Sequence, residues 1–211
     1  MPKRDIKVIS HSSATNHRIV ATPDEPFPDV TFHQTTAALP DLIHLNPAPG
    51  QENTSPPLLT LLQAYGELAS QHPQYASRYL EVLNKLEKTM PDNATVQAAV
   101  GRKDLKQGDV AQALTHLQRA VQLGSPQATT CADLAEALAR SGQNEQAVTW
   151  LDKSIALDPF NPFTQRELIV ELIHLKNFPR VREALERYVQ TFPQDEYMRR
   201  MLAAAPPEPA Q

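Results

Sequence analysis

Apolar residues follow two regimes along the chain. From about Thr60 to Leu202 they recur at three- and four-residue spacing, the period of an amphipathic helix. Ahead of that, three short β-type runs stand out, Ile6–Ile9, His17–Ala21 and Val30–His33, separated by Pro and Asp clusters. The helical regime is cut into short pieces. Thr129–Ser141 is predicted as a helix with Cys131, Leu134, Ala135 and Leu138 on one stripe. Glu145–Leu157 is predicted as its partner, with Ala147, Val148, Leu151 and Ile155 on one face. Gly142 between them suits a helix end in the left-handed region, and Asp158-Pro159 stops the second helix. Gln194–Ala204, with Tyr197, Met198, Met201 and Leu202 apolar, predicts a closing helix.

The pattern repeats with a period of 34 residues. The windows are Thr60–Asn93, Ala94–Gln127, Ala128–Asn161 and Pro162–Asp195. Gly101, Gly108, Ala113, Leu117 and Ala120 of the second window recur as Ala135, Gly142, Ala147, Leu151 and Ser154 in the third. The fourth is looser, with Ile169, Lys176, Val181, Leu185 and Tyr188, and the first keeps Leu83 and Leu86. Pro91, Ser125 beside Pro126, Pro159 and Pro193 fall at the boundaries. One helix pair cannot bury its own stripe, so such units must stack.

These residues resemble the tetratricopeptide repeat (TPR). The resemblance implies an all-α, right-handed superhelical solenoid of antiparallel helix pairs. It divides the chain into a Pro-rich extended arm at 1–54, a solenoid at 55–204 and a short tail at 205–211. It also implies a non-enzymatic protein–protein interaction or scaffold module whose first helices line a groove. The groove positions are Arg102, Lys106, Glu136, Arg140, Arg166, Val170 and His174, with Leu61, Ala64 and Leu68 from the first pair. A row of Arg and Lys there favours an acidic or carboxylate-bearing partner segment. The Lys and Asn pattern of the chaperone-binding carboxylate clamp is absent: Ala98 and Arg102 stand in its place.

Composition narrows the chemistry. Of 19 prolines, nine lie in the first 57 residues and three in the last six. Those within the repeats fall at helix starts and pair boundaries, where proline is tolerated. A lone Cys131 excludes an intramolecular disulfide and a cysteine zinc site, and reads as a buried small hydrophobe. Trp150 and Phe178 read as packing residues between helices. A pI near 6.0 gives no basic field, so no nucleic-acid partner is expected. The chain has 6 glycines and no Gly-rich phosphate loop, HExxH, GxSxG or EF-hand pattern, so the expectation is no enzyme and no catalytic residue. The longest uncharged stretch, 14 residues at 53–66, contains Pro56 and Pro57 and is too short to span a membrane. No secretory signal follows Met1, so the chain as written is expected in the cytoplasm.

A second resemblance lies in the arm. Met1-Pro2-Lys3-Arg4 and the segment from His11 through His17-Arg18-Ile19 resemble the stretch after a haem-attachment motif in bacterial multihaem c-type cytochromes with TPR tails. There, histidines such as His11 and His17 serve as axial haem or metal ligands. The attachment motif itself is absent here, so haem is expected only where an upstream segment or a partner chain supplies it. If Met1 is not the true start, a periplasmic or extracellular place follows, with this chain as the C-terminal part of an electron-transfer protein. Self-assembly is the other alternative: a solenoid has unlike ends, and stacking them end to end gives a homo-oligomer or filament. For the arm, an irregular extended course and pairing of the β-type runs into a small sheet are both open.

Overall fold

The computed structural model describes residues 3–5, 13–15, 42, 56–124 and 127–205. The chain forms two compact units, Met1–Ser55 and Pro56–Gln211. In the first, β1 (Lys3–Asp5) and β2 (Ser13–Thr15) pair antiparallel, with Arg4 opposite Ala14. This hairpin uses other residues than the three β-type runs, which lie outside the described residues, as do His11 and His17.

The second unit is helical. Its helices are α1 (Leu58–Gln71), α2 (Ala76–Thr89), α3 (Ala94–Gln107), α4 (Val110–Leu123), α5 (Ala128–Arg140), α6 (Asn144–Leu157), α7 (Pro162–His174), α8 (Phe178–Thr191) and α9 (Glu196–Ala204). Consecutive helices pair, and each second helix packs on the first helix of the next pair. This is an all-α TPR solenoid. The two helices expected at 129–141 and 145–157 appear as α5 and α6, one residue earlier at their starts. The closing helix α9 begins at the first position of a fifth 34-residue window, so it takes the place of a first helix.

Capping shows why the segments start where they do. Asn93, Asn161 and Asp195 precede α3, α7 and α9, and their side chains accept backbone N–H bonds of the first turn. Asp109 and Asn177 do the same for α4 and α8. Gln97 and Gln165, each four residues beyond a capping Asn, both donate to a proline carbonyl, Pro91 O and Pro159 O, at 2.6 Å. The first pair lacks capping side chains, and the third also breaks this scheme. Gln127 and Gln143 stand at its cap positions and make no capping bond. That pair relies on burial instead: Cys131, Leu134, Ala135, Ala137, Leu138, Ala147 and Leu151 are all nearly inaccessible. Ser154 Oγ also donates to Ala128 O at 2.8 Å, tying the end of α6 to the start of α5.

In the second and third windows a small residue at the eighth slot lets the two helices come close. Gly101 and Ala135 occupy it in the second and third windows, and there α3–α4 and α5–α6 pack tightly. Glu67 and Ile169 occupy it in the first and fourth, and α1–α2 and α7–α8 are held more loosely. A Cβ on Gly101 would stand between the two backbones, 2.6 Å from Leu117 Cγ, so the glycine permits the close approach. In the first pair it is Gly66 that lies against Tyr79, and Glu67 is exposed.

The turn inside the second, third and fourth pairs takes a left-handed residue, while the first pair turns through a 3-10 segment at Pro73–Tyr75. Gly108 (φ 84°) and Gly142 (φ 79°) supply it. In the fourth window Lys176 takes the same place at φ 55°. A side chain in this region costs about 1–2 kcal/mol. Lys176→Gly is therefore expected to raise stability by about 1 kcal/mol, because glycine's extra unfolded-state entropy offsets part of the relief. The measurement is urea unfolding: the midpoint rises with an unchanged slope.

Candidate functional site

The first helices α1, α3, α5 and α7 present one stripe each on a common side. On α7 the stripe is Phe163, Arg166, Glu167, Val170, Ile173 and His174, all exposed. On α5 it is Thr129, Ala132, Asp133, Glu136, Ala139 and Arg140, mostly half-buried. On α3 it is Thr95, Ala98, Ala99, Arg102, Leu105 and Lys106, with only Lys106 fully exposed. Across α1, α3 and the start of α5 this side holds a cavity of about 440 Å³. Its floor is small-residue, Gly66, Ala94, Ala98 and Ala99, and its polar wall includes Glu67, Tyr79, Arg102 and Thr129.

The seven residues expected in the groove all lie on α3, α5 and α7, but their charges are largely spoken for. Arg102 Nε donates to Asp133 Oδ2 at 2.7 Å across the junction of the second and third repeats. Arg140 pairs with Glu136 and donates from Nη1 to Leu105 O at 3.1 Å. Arg166 pairs with Asp195 and donates from Nε to Tyr188 Oη at 2.8 Å. His174 Nδ1 lies 3.4 Å from Glu171 Oε1. The expected row of Arg and Lys is thus partly neutralised from within, because each guanidinium reaches a carboxylate of its own or the next repeat. Lys106 and Val170 are exposed, Val170 at 46%.

Electrostatics on this side follow from burial and from those pairs. Burial pushes the Asp133 carboxyl up, while the Arg102 guanidinium opposes that push. Burial also raises the Tyr79 phenol, again tempered by Arg102. Glu167 stands apart. The Arg102–Asp133 bond joins slot nine of one window to slot six of the next, and one repeat later the same slots hold Glu136 and Glu167. Two carboxylates hold the slots where the preceding junction has an ion pair. Desolvation by the surrounding wall, then the charges of Glu136, Asp133 and Glu171, push Glu167 up to about 7. Water reaches its exposed stripe and screens part of that push. No described cation pairs with Glu167. Reading the sequence for cations alone misses this residue, although adding 34 to Arg102 and Asp133 finds the carboxylate pair.

The other singled-out residues are structural. Cys131 is fully buried, and burial raises its thiol. Trp150 packs half-buried against the core, with Lys153 Nζ 3.8 Å from its ring centre. Phe178 departs from its expected packing role: as the first residue of α8 it is 53% exposed. Between α3 and α4, His116 Nδ1 lies 2.8 Å from Gln97 Oε1, and buried Asp104 Oδ2 has no hydrogen-bond partner. Among the described residues no group of His, Cys, Asp and Glu could hold a metal ion. Nor is any of their helices long and apolar enough to cross a membrane.

A tetratricopeptide-repeat family profile matches residues 104–162. No curated protein sequence matches the chain. Solved structures do. The MamA protein superposes with a TM-score of 0.56 at 18% identity, covering 70% of this chain and 80% of that one. YrrB, described as a TPR protein with an unusual peptide-binding site, gives 0.57 at 13% identity, covering 71% and 76%. Cut9–Hcn1, an APC/C hetero-tetramer, gives 0.56 at 19% identity, covering 68% of this chain and 29% of that one. The 34-residue register, the helix pairing and these likenesses together make the fold of this chain a TPR solenoid, with the repeat itself matched over residues 104–162.

Proposed function

We propose that the chain is a non-enzymatic interaction module that holds a polypeptide segment against the side formed by its first helices. The observation that carries this reading is the continuous open face there: a small-residue cavity of about 440 Å³ at one end and a wholly exposed stripe on α7 at the other. Small side chains on the floor admit a peptide backbone close to the helices, and polar groups on the wall can pair with its amides. The peptide-binding site named for YrrB is a precedent in the same fold. The internally paired arginines support a partner read by shape and apolar contact, with Lys106 left as an exposed cation.

Filling the cavity tests the reading. Thr95→Trp and Thr129→Trp place indoles at its rim without touching the core, since Thr95 is half-buried and Thr129 exposed. Affinity capture of the full chain from its own cells is expected to retain specific proteins, and the double variant is expected to lose them. Glu183→Ala, exposed on α8, is the control that keeps them. An identical set of captured proteins for the filled variant would sink the proposal.

A further inference from the structure

We propose that the α5–α7–α9 part of this side docks a peptide bearing a Lys or Arg flanked by bulky apolar residues, with the cation seated at Glu136 and Glu167. The inference rests on the interaction-module reading and specifies its partner's chemistry. Two observations meet here. First, α7 leaves an apolar face without a partner: Phe163 is 72% exposed, Val170 46% and Ile173 37%. One window on, Tyr197 of α9 repeats the place of Phe163 and is 68% exposed. At the place of Phe163 and Tyr197 the earlier helices α3 and α5 carry Thr95 and Thr129, so the exposed aromatics belong to the last two first helices. Large apolar side chains left exposed at matching places of two successive first helices mark a contact surface.

Second, the charge beside that patch is unbalanced in one direction. At the previous junction Arg102 answers Asp133. Here Glu136 and Glu167 hold the corresponding slots, near enough for the charge of Glu136 to act on Glu167, and Glu136 has Arg140 while Glu167 has no described cation. Asp133 and Glu171 add to the same negative field. Nearby Arg166 cannot answer it, being held by Tyr188 and Asp195. A ligand cation would complete the pair that the chain itself makes one repeat earlier, and charge-assisted bonds to two carboxylates would fix its register. The apolar neighbours of that cation would cover Phe163, Val170 and Ile173. An acidic segment would instead add a third like charge to the junction.

Fluorescence anisotropy on the full chain tests this with three labelled synthetic peptides: a Lys flanked by Leu and Phe, the same peptide with Glu for Lys, and the Lys peptide with Ser for Leu and Phe. The Lys–Leu–Phe peptide is expected to bind, and to weaken with added salt. Glu167→Gln and Phe163→Ser are each expected to weaken it about tenfold. Both residues are exposed, so the variants should fold as the parent does, which circular dichroism checks. Glu186→Gln on α8 is expected to change nothing. Equal binding of the Glu peptide, or unchanged affinity in Glu167→Gln, overturns the proposed partner chemistry. If the Glu peptide binds and Phe163→Ser still weakens it, the interaction face stands and only its charge preference falls. If no peptide binds and filling the cavity also leaves captured proteins unchanged, both readings fall together.

Discussion

Gly101→Val is expected to cost the solenoid about 3 kcal/mol, measured as a fall in the urea midpoint. A Cβ built on Gly101 would lie 2.6 Å from Leu117 Cγ and 3.2 Å from the Leu117 backbone nitrogen. Leu117 is itself fully buried, surrounded by the cluster that includes Leu105, Ala113, Leu134 and Leu138, so it has nowhere to retreat. The backbone nitrogen cannot yield unless α4 moves away from α3. Gly101→Ala should cost less, about 1 kcal/mol, since the better helix propensity of Ala offsets part of the clash. The decisive comparison is a double-mutant cycle. Leu117→Ala alone is expected to lose about 3 kcal/mol through its cavity. With Gly101→Ala added, the new methyl enters that cavity, and the combined loss should fall short of the sum by about 1 kcal/mol. Strict additivity would show that the two residues do not compete for one space. The same logic explains the variation along the chain: Ile169 at this slot is accommodated because α7 and α8 stand further apart.

This slot was legible in the sequence, and so were the phase of the repeat, the helix pairs and the left-handed turns at Gly108 and Gly142. Each depends on one residue meeting a backbone requirement, which a residue type reveals directly. The candidate face was half legible. Its positions follow from the register, so Arg102, Glu136 and Val170 could be placed on the first helices without coordinates. Their pairing could not. Whether a guanidinium points to a ligand or to Asp133 depends on the offset between neighbouring repeats, a distance that no single window encodes. The sequence places a row of cations on these helices, and the structure adds that Arg102, Arg140 and Arg166 each pair with a carboxylate of the chain itself. Lys176 is the converse case: its slot was plain, but a lysine gives no sign that it will adopt φ 55°. There the surrounding turn overrides local preference. The closing helix shows a third kind of gap. Its apolar residues marked a helix, but only its start at Glu196, in phase with the windows, shows it to stand where a first helix stands.

Tyr188→Ala is expected to be the most damaging single change, at about 4 kcal/mol, and the reason differs from that at Gly101. Tyr188 is 1% exposed, and its ring lies against Phe192 with centroids 4.9 Å apart. Its hydroxyl receives a bond from Arg166 Nε and donates to Asp195 Oδ2, each at 2.8 Å. Asp195 in turn accepts the Met198 N–H through Oδ1 and so caps α9. One side chain thus serves both the core of α8 and the attachment of the last helix. Tyr188→Phe separates the two roles: it keeps the ring and loses the hydroxyl, at about 1 kcal/mol. In that variant amide exchange should accelerate in 196–204 while α5 is unchanged, a difference that global destabilisation alone would not give. Acid gives an independent reading. The Met198 N–H, then the Tyr188 hydroxyl and Arg166, hold the Asp195 carboxyl below the usual aspartate value. Its contribution is therefore complete above an unfolded-state value of about 3.9 and is lost as pH falls through the lower folded value. Removing the hydroxyl brings the folded value closer to the unfolded one, so less stability is lost to acid in Tyr188→Phe than in the parent. Equal acid losses in the two proteins, with equal exchange in α9, would mean that α9 is held by Met198 and Met201 packing alone.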